Sequence, residues 1–399
     1  MKILHTSDWH IGKQLYKQEL HEDLLLFFDW LLQYIVTEKI DVLLVSGDVF
    51  DHANPSQAAF KQYYDFLKRL IPLDLQVIIT GGNHDSSAVL NAPAELLRTL
   101  NITVIGGAGS LDEMFIPINK NGERIVIAAI PYLRDKDLRK PDAGETYTDK
   151  IELAKAALRT YFSEVNAHYS TYHKEAFYVL MGHLYVQGSQ LSDSERDIQI
   201  GNLAGVEVAM FEGIPHYVAL GHIHKPQVIS AKHQIHYCGS PIPLSFSEKE
   251  DRKQVNLIEV ENNRLKSVKK IEIPTFRKLV SFEGTLSEVK EKITQYTDET
   301  PLLSFAEIKV IEEQESIENR YAFETFVTSN PNEKLQIVKS RLIYKNLVEG
   351  ASHHFAKNTD VADVTPLQMF EKRLELEPDL ENKEALLLAF RELLEELGL

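Results

Sequence analysis

Five times within its first 224 residues this chain leaves a predicted β-strand and enters a short string rich in Asp, His, Asn and Gly. The strings are Asp8-Trp9-His10, Gly47-Asp48-Val49-Phe50-Asp51, Gly82-Asn83-His84-Asp85, Gly182-His183 and Gly221-His222-Ile223-His224. The strands, at residues 2–5, 42–45, 77–80, 177–181 and 217–220, are short apolar stretches. Helix-period runs at 21–39, 56–70, 92–100 and 150–169 fall between them, with a further strand at 125–130. Within 21–39, Leu24, Phe27, Phe28, Leu31, Leu32 and Ile35 share one helical face. Alternation of this kind builds a layered α/β domain in which helices cover sheets. Open α/β sheets bind ligands at the carboxyl ends of their strands, so five chemically similar strand ends point to one shared site. The glycines suit a chain that turns sharply and brings backbone close to whatever is bound.

Donor type narrows the chemistry. Cys238 is the sole cysteine, which excludes an intrachain disulfide and a thiolate cage. Any metal must be held by oxygen and imidazole, a donor set suited to Mn, Fe or Zn rather than to copper or a structural zinc. Asp8 and His10 alternate along one strand end, as do His222 and His224, so each pair can serve one site or two adjacent ones. We expect two cations with Asp48 between them, because one carboxylate can touch both. Asp51 and Asp85 are expected to brace ligands and backbone rather than to ligate. His5 reads as a buried histidine with its own partner, Cys238 as a small core residue, and His353 and His354 as a solvated pair.

The set DxH, GDxxD, GNHD, GH and GHxH resembles the calcineurin-like metallophosphoesterase superfamily. The longer strings HTSDWHIGK, SGDVFD, GGNHDS, IPYLR, LGHIH and YCGSPIPLSF are similar to those of the nuclease D subunits of bacterial SbcCD complexes, densely over the first ~270 residues and more weakly beyond. That resemblance implies a layered two-sheet sandwich flanked by helices, with a small α/β capping domain and C-terminal helices. It also implies one metal on Asp8, His10, Asp48 and His224, another on Asp48, Asn83, His183 and His222, and His84 as the catalytic imidazole. In the two-metal scheme, ions about 4 Å apart clamp a nonbridging phosphate oxygen and lower the pKa of a water between them. Hydroxide then attacks phosphorus in line, and His84 stabilises the developing charge or protonates the leaving 3′ oxygen. Mn²⁺ is the ion the resemblance favours, with Mg²⁺, Fe²⁺ and Zn²⁺ open. The implied activities are double-strand exonuclease and single-strand or hairpin endonuclease, in DNA repair, recombination and replication. The implied partner is an SMC-like ATPase of the SbcC type, joined to a homodimer of this chain in a heterotetramer. No G-x-x-x-x-G-K-[ST] loop occurs here, so ATP use belongs to that partner. A metal centre alone does not choose between monoesters and diesters, which leaves a phosphomonoesterase of the same superfamily and a non-catalytic DNA-end tether as alternatives.

A length of 399 residues allows two or three domains. Residues 1–273 read as the nuclease domain. A compact α/β module follows over 274–345, with strands at 278–282, 304–311 and 335–343 and helices at 286–296 and 320–328; the resemblance makes it a DNA-facing cap. Residues 346–364 are polar and read as a linker. Residues 365–399 carry Leu367, Phe370 and Leu374 at helical spacing, then Leu387, Phe390 and Leu394 on a broad apolar face. That stretch holds nine acidic and four basic residues, net −5, so it is unsuited to phosphate; its apolar face packs either on its own domain or in a partner's groove, and the resemblance favours the partner. Cations for a DNA backbone are sought at Lys13, beside Gln14, and at Lys225, Lys334, Lys339, Arg341 and Lys345. The formal charge of −16 argues against a nonspecific polycation, but a Debye length of about 8 Å leaves phosphate contact to local patches. No run approaches the ~20 apolar residues of a membrane span. The first ten residues carry no signal-peptide pattern, so cytoplasmic residence is expected.

Overall fold

The computed structural model describes residues 1–140, 147–195, 205–211, 214–329 and 332–345, together with Phe370, Leu374, Lys383, Leu386, Leu387, Ala389 and Phe390. The predicted linker at 346–364, with His353 and His354, lies outside the described residues, as do Leu367 and Leu394. The chain divides into two compact units. One comprises Met1–Ser281, Tyr296–Glu307 and Asn332–Lys339, the other Phe282–Gln295, Ile308–Pro331 and Ser340–Leu399.

Two six-stranded sheets make the first unit. Across the first sheet the strands are Arg264–Glu272, Gln254–Glu261, Lys2–Thr6, Val42–Ser46, Gln76–Thr80 and Ile102–Ile105. The last four are parallel, and Gln254–Glu261 pairs antiparallel with Lys2–Thr6. Across the second sheet they are Gln227–Ser230, Ile235–Tyr237, Tyr217–Gly221, Phe177–His183, Glu123–Ala129 and Phe115–Lys120, with a parallel centre and antiparallel edges. The strand Val42–Ser46 shows why layers form. Val42 and Leu44 join a cluster with Ile127, Val179 and Val218 of the facing sheet, whereas Leu43 and Val45 join Phe27, Leu31 and Phe66 of the covering helices His21–Glu38 and Gln57–Leu70. Every residue of that strand is buried, as a parallel strand covered on both faces requires. Parallel register aligns Ser46 with Thr80 in one sheet and Gly221 with His183 in the other, so the carboxyl ends of each set share one edge.

The layered α/β sandwich is the architecture that the alternation of strands and helices predicts, yet several elements differ. The spacing predicts one helix over 92–100, but two short helices form, Ser87–Asn91 and Ala94–Arg98, separated at Pro93, which has no N–H to continue a helical ladder. The 150–169 run is part of a longer helix, Tyr147–Tyr172. Six strands of these two sheets lie outside the predicted set: Ile102–Ile105, Phe115–Lys120, Gln227–Ser230, Ile235–Tyr237, Gln254–Glu261 and Arg264–Glu272. Among them Arg264–Glu272 (RLKSVKKIE) is a largely exposed edge strand whose lysines suit an unpaired edge.

A third sheet orders Leu279–Gly284, Ser304–Glu312 and Leu335–Tyr344, and each of these strands contributes residues to both units. In the second unit, helices Leu286–Gln295 and Ile317–Ser329 bury Val289, Ile293, Phe323 and Phe326. Among the described residues no helix is long and apolar enough to cross a membrane.

Candidate metal centre

The strand ends of the two large sheets deliver a cluster of buried donors. Ligand atoms of Asp8, His10, Asp48 and His224 lie within 4.8 Å of one another, and those of Asp48, His183 and His222 meet the same limit. Asp48 belongs to both groups. Asn83 joins the second, its Oδ1 2.9 Å from His183 Nε2 and 3.0 Å from His222 Nδ1. A further group contains His10, Asp51 and His84.

Backbone geometry accounts for the convergence. Asp8, His10, Asp48 and His222 all have positive φ, at 53°, 47°, 48° and 98°. Non-glycine residues held there cost roughly 1 kcal/mol or more each, and such strain gathers at functional sites. The strand ends brace one another: Asp8 N donates to Gly47 O (3.1 Å) and His10 N to Asp48 O (3.0 Å). Asp48 Oδ1 accepts from His84 N and Asp8 Oδ1 from His222 N, both at 2.9 Å. That arrangement turns Asp48 Oδ2 toward the imidazoles, 3.3 Å from His183 Nε2, 3.5 Å from His10 Nε2 and 4.0 Å from His84 Nε2. Only glycine permits the approach. A Cβ on Gly47, at φ +81°, would lie 2.2 Å from His183 Nδ1, and one on Gly221 would lie 1.8 Å from Ser46 O.

The hydrogen bonds fit this donor set to divalent cations. His183 Nδ1 donates to Ser46 O (2.9 Å), His10 Nδ1 to Asp51 Oδ1 (3.1 Å) and His84 Nδ1 to Asp51 O (2.8 Å). Carbonyl and carboxylate oxygens only accept, so each neutral ring carries its proton on Nδ1 and presents a lone pair at Nε2. His10 Nε2 lies 3.1 Å from His224 Nε2, a separation that calls for a proton or a cation between them. His222 Nε2 is buried with no hydrogen-bond partner. Lone pairs and carboxylates gathered out of water are what oxygen- and nitrogen-loving divalent ions require.

Electrostatics agree. Burial raises Asp8 to about 6, against the pull of His183 and His224. Burial also opposes ionisation of Asp48, but His183, His10 and His84 together outweigh it and hold that carboxyl well below its ordinary range. Burial lowers His183, yet Asp48 overrides it and raises the ring to about 9. Burial, aided by His183, takes His222 down to about 3. A divalent cation competes with the proton on His183 and favours the Asp8 carboxylate, so loading the site releases protons.

Around this centre, Asp51 accepts from His10 and from Lys13 Nζ (3.2 Å); these two hold its carboxyl low against burial. Asp85 accepts from the backbone N–H groups of Val49, Phe50 and Gly82 at 2.8–3.0 Å. His5 is buried with Nδ1 3.1 Å from Tyr217 Oη, and Cys238 is a buried free thiol. Of the cations sought for DNA, Lys13 is engaged with Asp51 and Lys225 is half-buried, while Lys334 and Arg341 are exposed. Lys339 pairs with Glu307 (2.9 Å) and lies over the Tyr16 ring, and Lys345 pairs with Glu313 (2.5 Å). In the second unit, Phe370 and Phe390 stack at 4.1 Å, Leu374 is buried and Leu387 is half-buried. The sequence reading missed Ser194, Glu195, Glu248 and Lys253, which surround His224. Glu248 stands two residues past the YCGSPIPLSF string, close enough to have been found by asking what that string braces.

A family model described as calcineurin-like phosphoesterase matches residues 1–226. The D subunit of nuclease SbcCD from Escherichia coli (strain K12) is 32% identical over 385 residues, covering 94% of this chain and 93% of its own. The protein of the same name from Rhodobacter capsulatus is 35% identical over 259 residues, 62% of this chain and 64% of its own. That from Bacillus subtilis (strain 168) is 28% identical over 319 residues, 78% and 80%. With a donor cluster at the strand ends of a two-sheet sandwich and relatives aligned over nearly its whole length, the chain belongs to the calcineurin-like phosphoesterases and, within them, to the family of SbcCD nuclease D subunits.

Proposed function

We propose that this chain is a metal-dependent nuclease that hydrolyses phosphodiester bonds of DNA with two divalent cations, Mn²⁺ foremost. It acts in the cytoplasm, as a homodimer joined to an SMC-like ATPase of the SbcC type. The observation that carries the reading is Asp48, whose Oδ2 lies between two groups of buried donors. Asp8, His10, Asp48 and His224 would hold one ion, and Asp48, Asn83, His183 and His222 the other. When bound, the ions supply charge to the phosphoryl oxygens and acidify water. His84 is fixed at its backbone by Asp48 and at Nδ1 by the Asp51 carbonyl, with Nε2 on the Asp48 side of the ring. That anchoring supports a role for the protonated ring in supplying a proton to the leaving oxygen. Asp51 keeps His10 in the tautomer that presents Nε2.

Residues 1–273 carry this chemistry. Residues 274–345 form a DNA-facing cap, and Lys13, Lys225 and the exposed Lys334 and Arg341 are each candidates for contact with backbone phosphates. Residues 346–364 link to residues 365–399, whose Leu367, Phe370, Leu374, Leu387, Phe390 and Leu394 dock on the ATPase; the stacked Phe370 and Phe390 support a shared apolar face there.

The test is Mn²⁺-dependent cleavage of end-labelled linear and hairpin DNA by the full chain with its ATPase partner. Wild type cuts, His84→Ala loses about 10²–10⁴-fold while keeping its metal, and Asp48→Ala is inactive. Equal cleavage by all three sinks the reading, and turnover of a chromogenic monoester without any diester cleavage makes the protein a phosphomonoesterase.

A further inference from the structure

His224 is gripped by residues that belong to neither donor group. Its backbone N donates to Glu195 Oε1 (2.9 Å), its carbonyl accepts from Ser240 N and Lys253 Nζ (both 3.1 Å), and its Nδ1 lies 2.5 Å from Ser194 Oγ. Nε2 is the one polar atom left to face the cluster, 3.1 Å from His10 Nε2. Ser194 Oγ donates in turn to Glu248 Oε1, and Glu248 Oε2 takes Lys253 Nζ at 2.5 Å. Glu248 is wholly buried and Lys253 nearly so.

A buried ion pair of this kind is a poor source of stability, because desolvation offsets most of the attraction and an apolar pair of the same volume serves as well. Its geometry gives it another use. A carboxylate only accepts, so across its short contact with Glu248 the Ser194 hydroxyl donates, and its oxygen, with Ser192 Oγ also 2.8 Å away, accepts from His224 Nδ1–H. The ring then presents a lone pair at Nε2. Lys253 holds the His224 carbonyl with the same ammonium that anchors Glu248, so ring and backbone are fixed by one unit.

We infer that Glu248, acting through Ser194 with Lys253 as its counter-ion, is a positioning residue that sets the tautomer and direction of His224. It thereby sets the affinity of the cation site formed with Asp8, His10 and Asp48. The inference rests on the two-cation reading above. In Glu248→Gln the side-chain amide can donate to Ser194, whose hydroxyl then turns to His224 Nδ1 and moves the ring proton to Nε2. Ser194→Ala removes the relay and leaves the Glu248–Lys253 pair in place, with Glu248 Oε1 3.7 Å from His224 Nδ1, beyond hydrogen-bond reach.

The experiment is titration of the full chain with Mn²⁺ alone, read by equilibrium dialysis and electron paramagnetic resonance. Wild type takes two ions with an exchange-coupled spectrum. In both variants one ion binds as in wild type and the other about 10–100-fold more weakly. At concentrations that fill both wild-type sites, the variants therefore give the hyperfine pattern of an isolated ion. Variants that load two coupled ions with wild-type affinity, or that lose both ions alike, overturn the inference and leave the two-cation reading standing. Wild type that binds no Mn²⁺ overturns both. If Glu248→Gln does not fold, Ser194→Ala decides by the same outcomes.

Discussion

Among the described residues, the first unit buries charge as well as displaying it, whereas the second buries none. In the first, Asp8, Asp48, Glu248, Lys253 and five histidines at the strand ends, together with the Asp23–Arg277 pair, are all shielded from water. The second displays its charge, with Lys309–Glu283 and Lys345–Glu313 paired on its surface. Burying an ion costs several kcal/mol unless partners and hydrogen bonds repay it. A cluster of carboxylates and imidazoles out of water is therefore organised around something positive, or around the orientation of a ligand. Exposed pairs cost little and contribute little, so they carry no such implication.

That contrast can be broken by substitution. The larger effect is expected at Arg277, whose guanidinium grips both oxygens of Asp23 (2.9 and 3.0 Å), donates to Leu303 O (2.6 Å) and lies 4.0 Å over the Phe305 ring. Burial already raises the Asp23 carboxyl against the opposing pull of Arg277. Arg277→Ala strands that carboxylate and should cost about 3–5 kcal/mol, read from the midpoint of denaturant unfolding. A loss below about 1 kcal/mol would mean that buried charge in the first unit is no more constrained than charge at a surface. At the other end of the scale, Lys309→Ala should move the same midpoint by less than about 0.5 kcal/mol. A larger shift would show that the pair to Glu283 belongs to a coupled network rather than to a solvated face.

The sequence made the donors legible because their chemistry leaves few options. Asp, His and Asn directly after apolar strands, with glycines where two sheets crowd, have few other reasons to recur five times. The supports of His224 were not legible in the same way. Ser194 and Glu248 are 54 residues apart and meet only through the fold, and neither residue type is unusual in a loop. Strands Gln254–Glu261 and Arg264–Glu272 escaped for a related reason. The second is an edge whose alternation is written in lysines, and the first gains its place by pairing with Lys2–Thr6 at the far end of the chain. Pro93 could have been read correctly from its missing N–H alone, whereas Ser87–Asn91 is too short for any period to mark it.

The most direct test of the shared carboxylate is anomalous diffraction from crystals of the full chain grown with Mn²⁺. Two peaks are expected about 3.5–4 Å apart, one on either side of Asp48 Oδ2, the first beside Asp8, His10 and His224 and the second beside Asn83, His183 and His222. A single peak, or two that do not share Asp48, would contradict the two-cation centre.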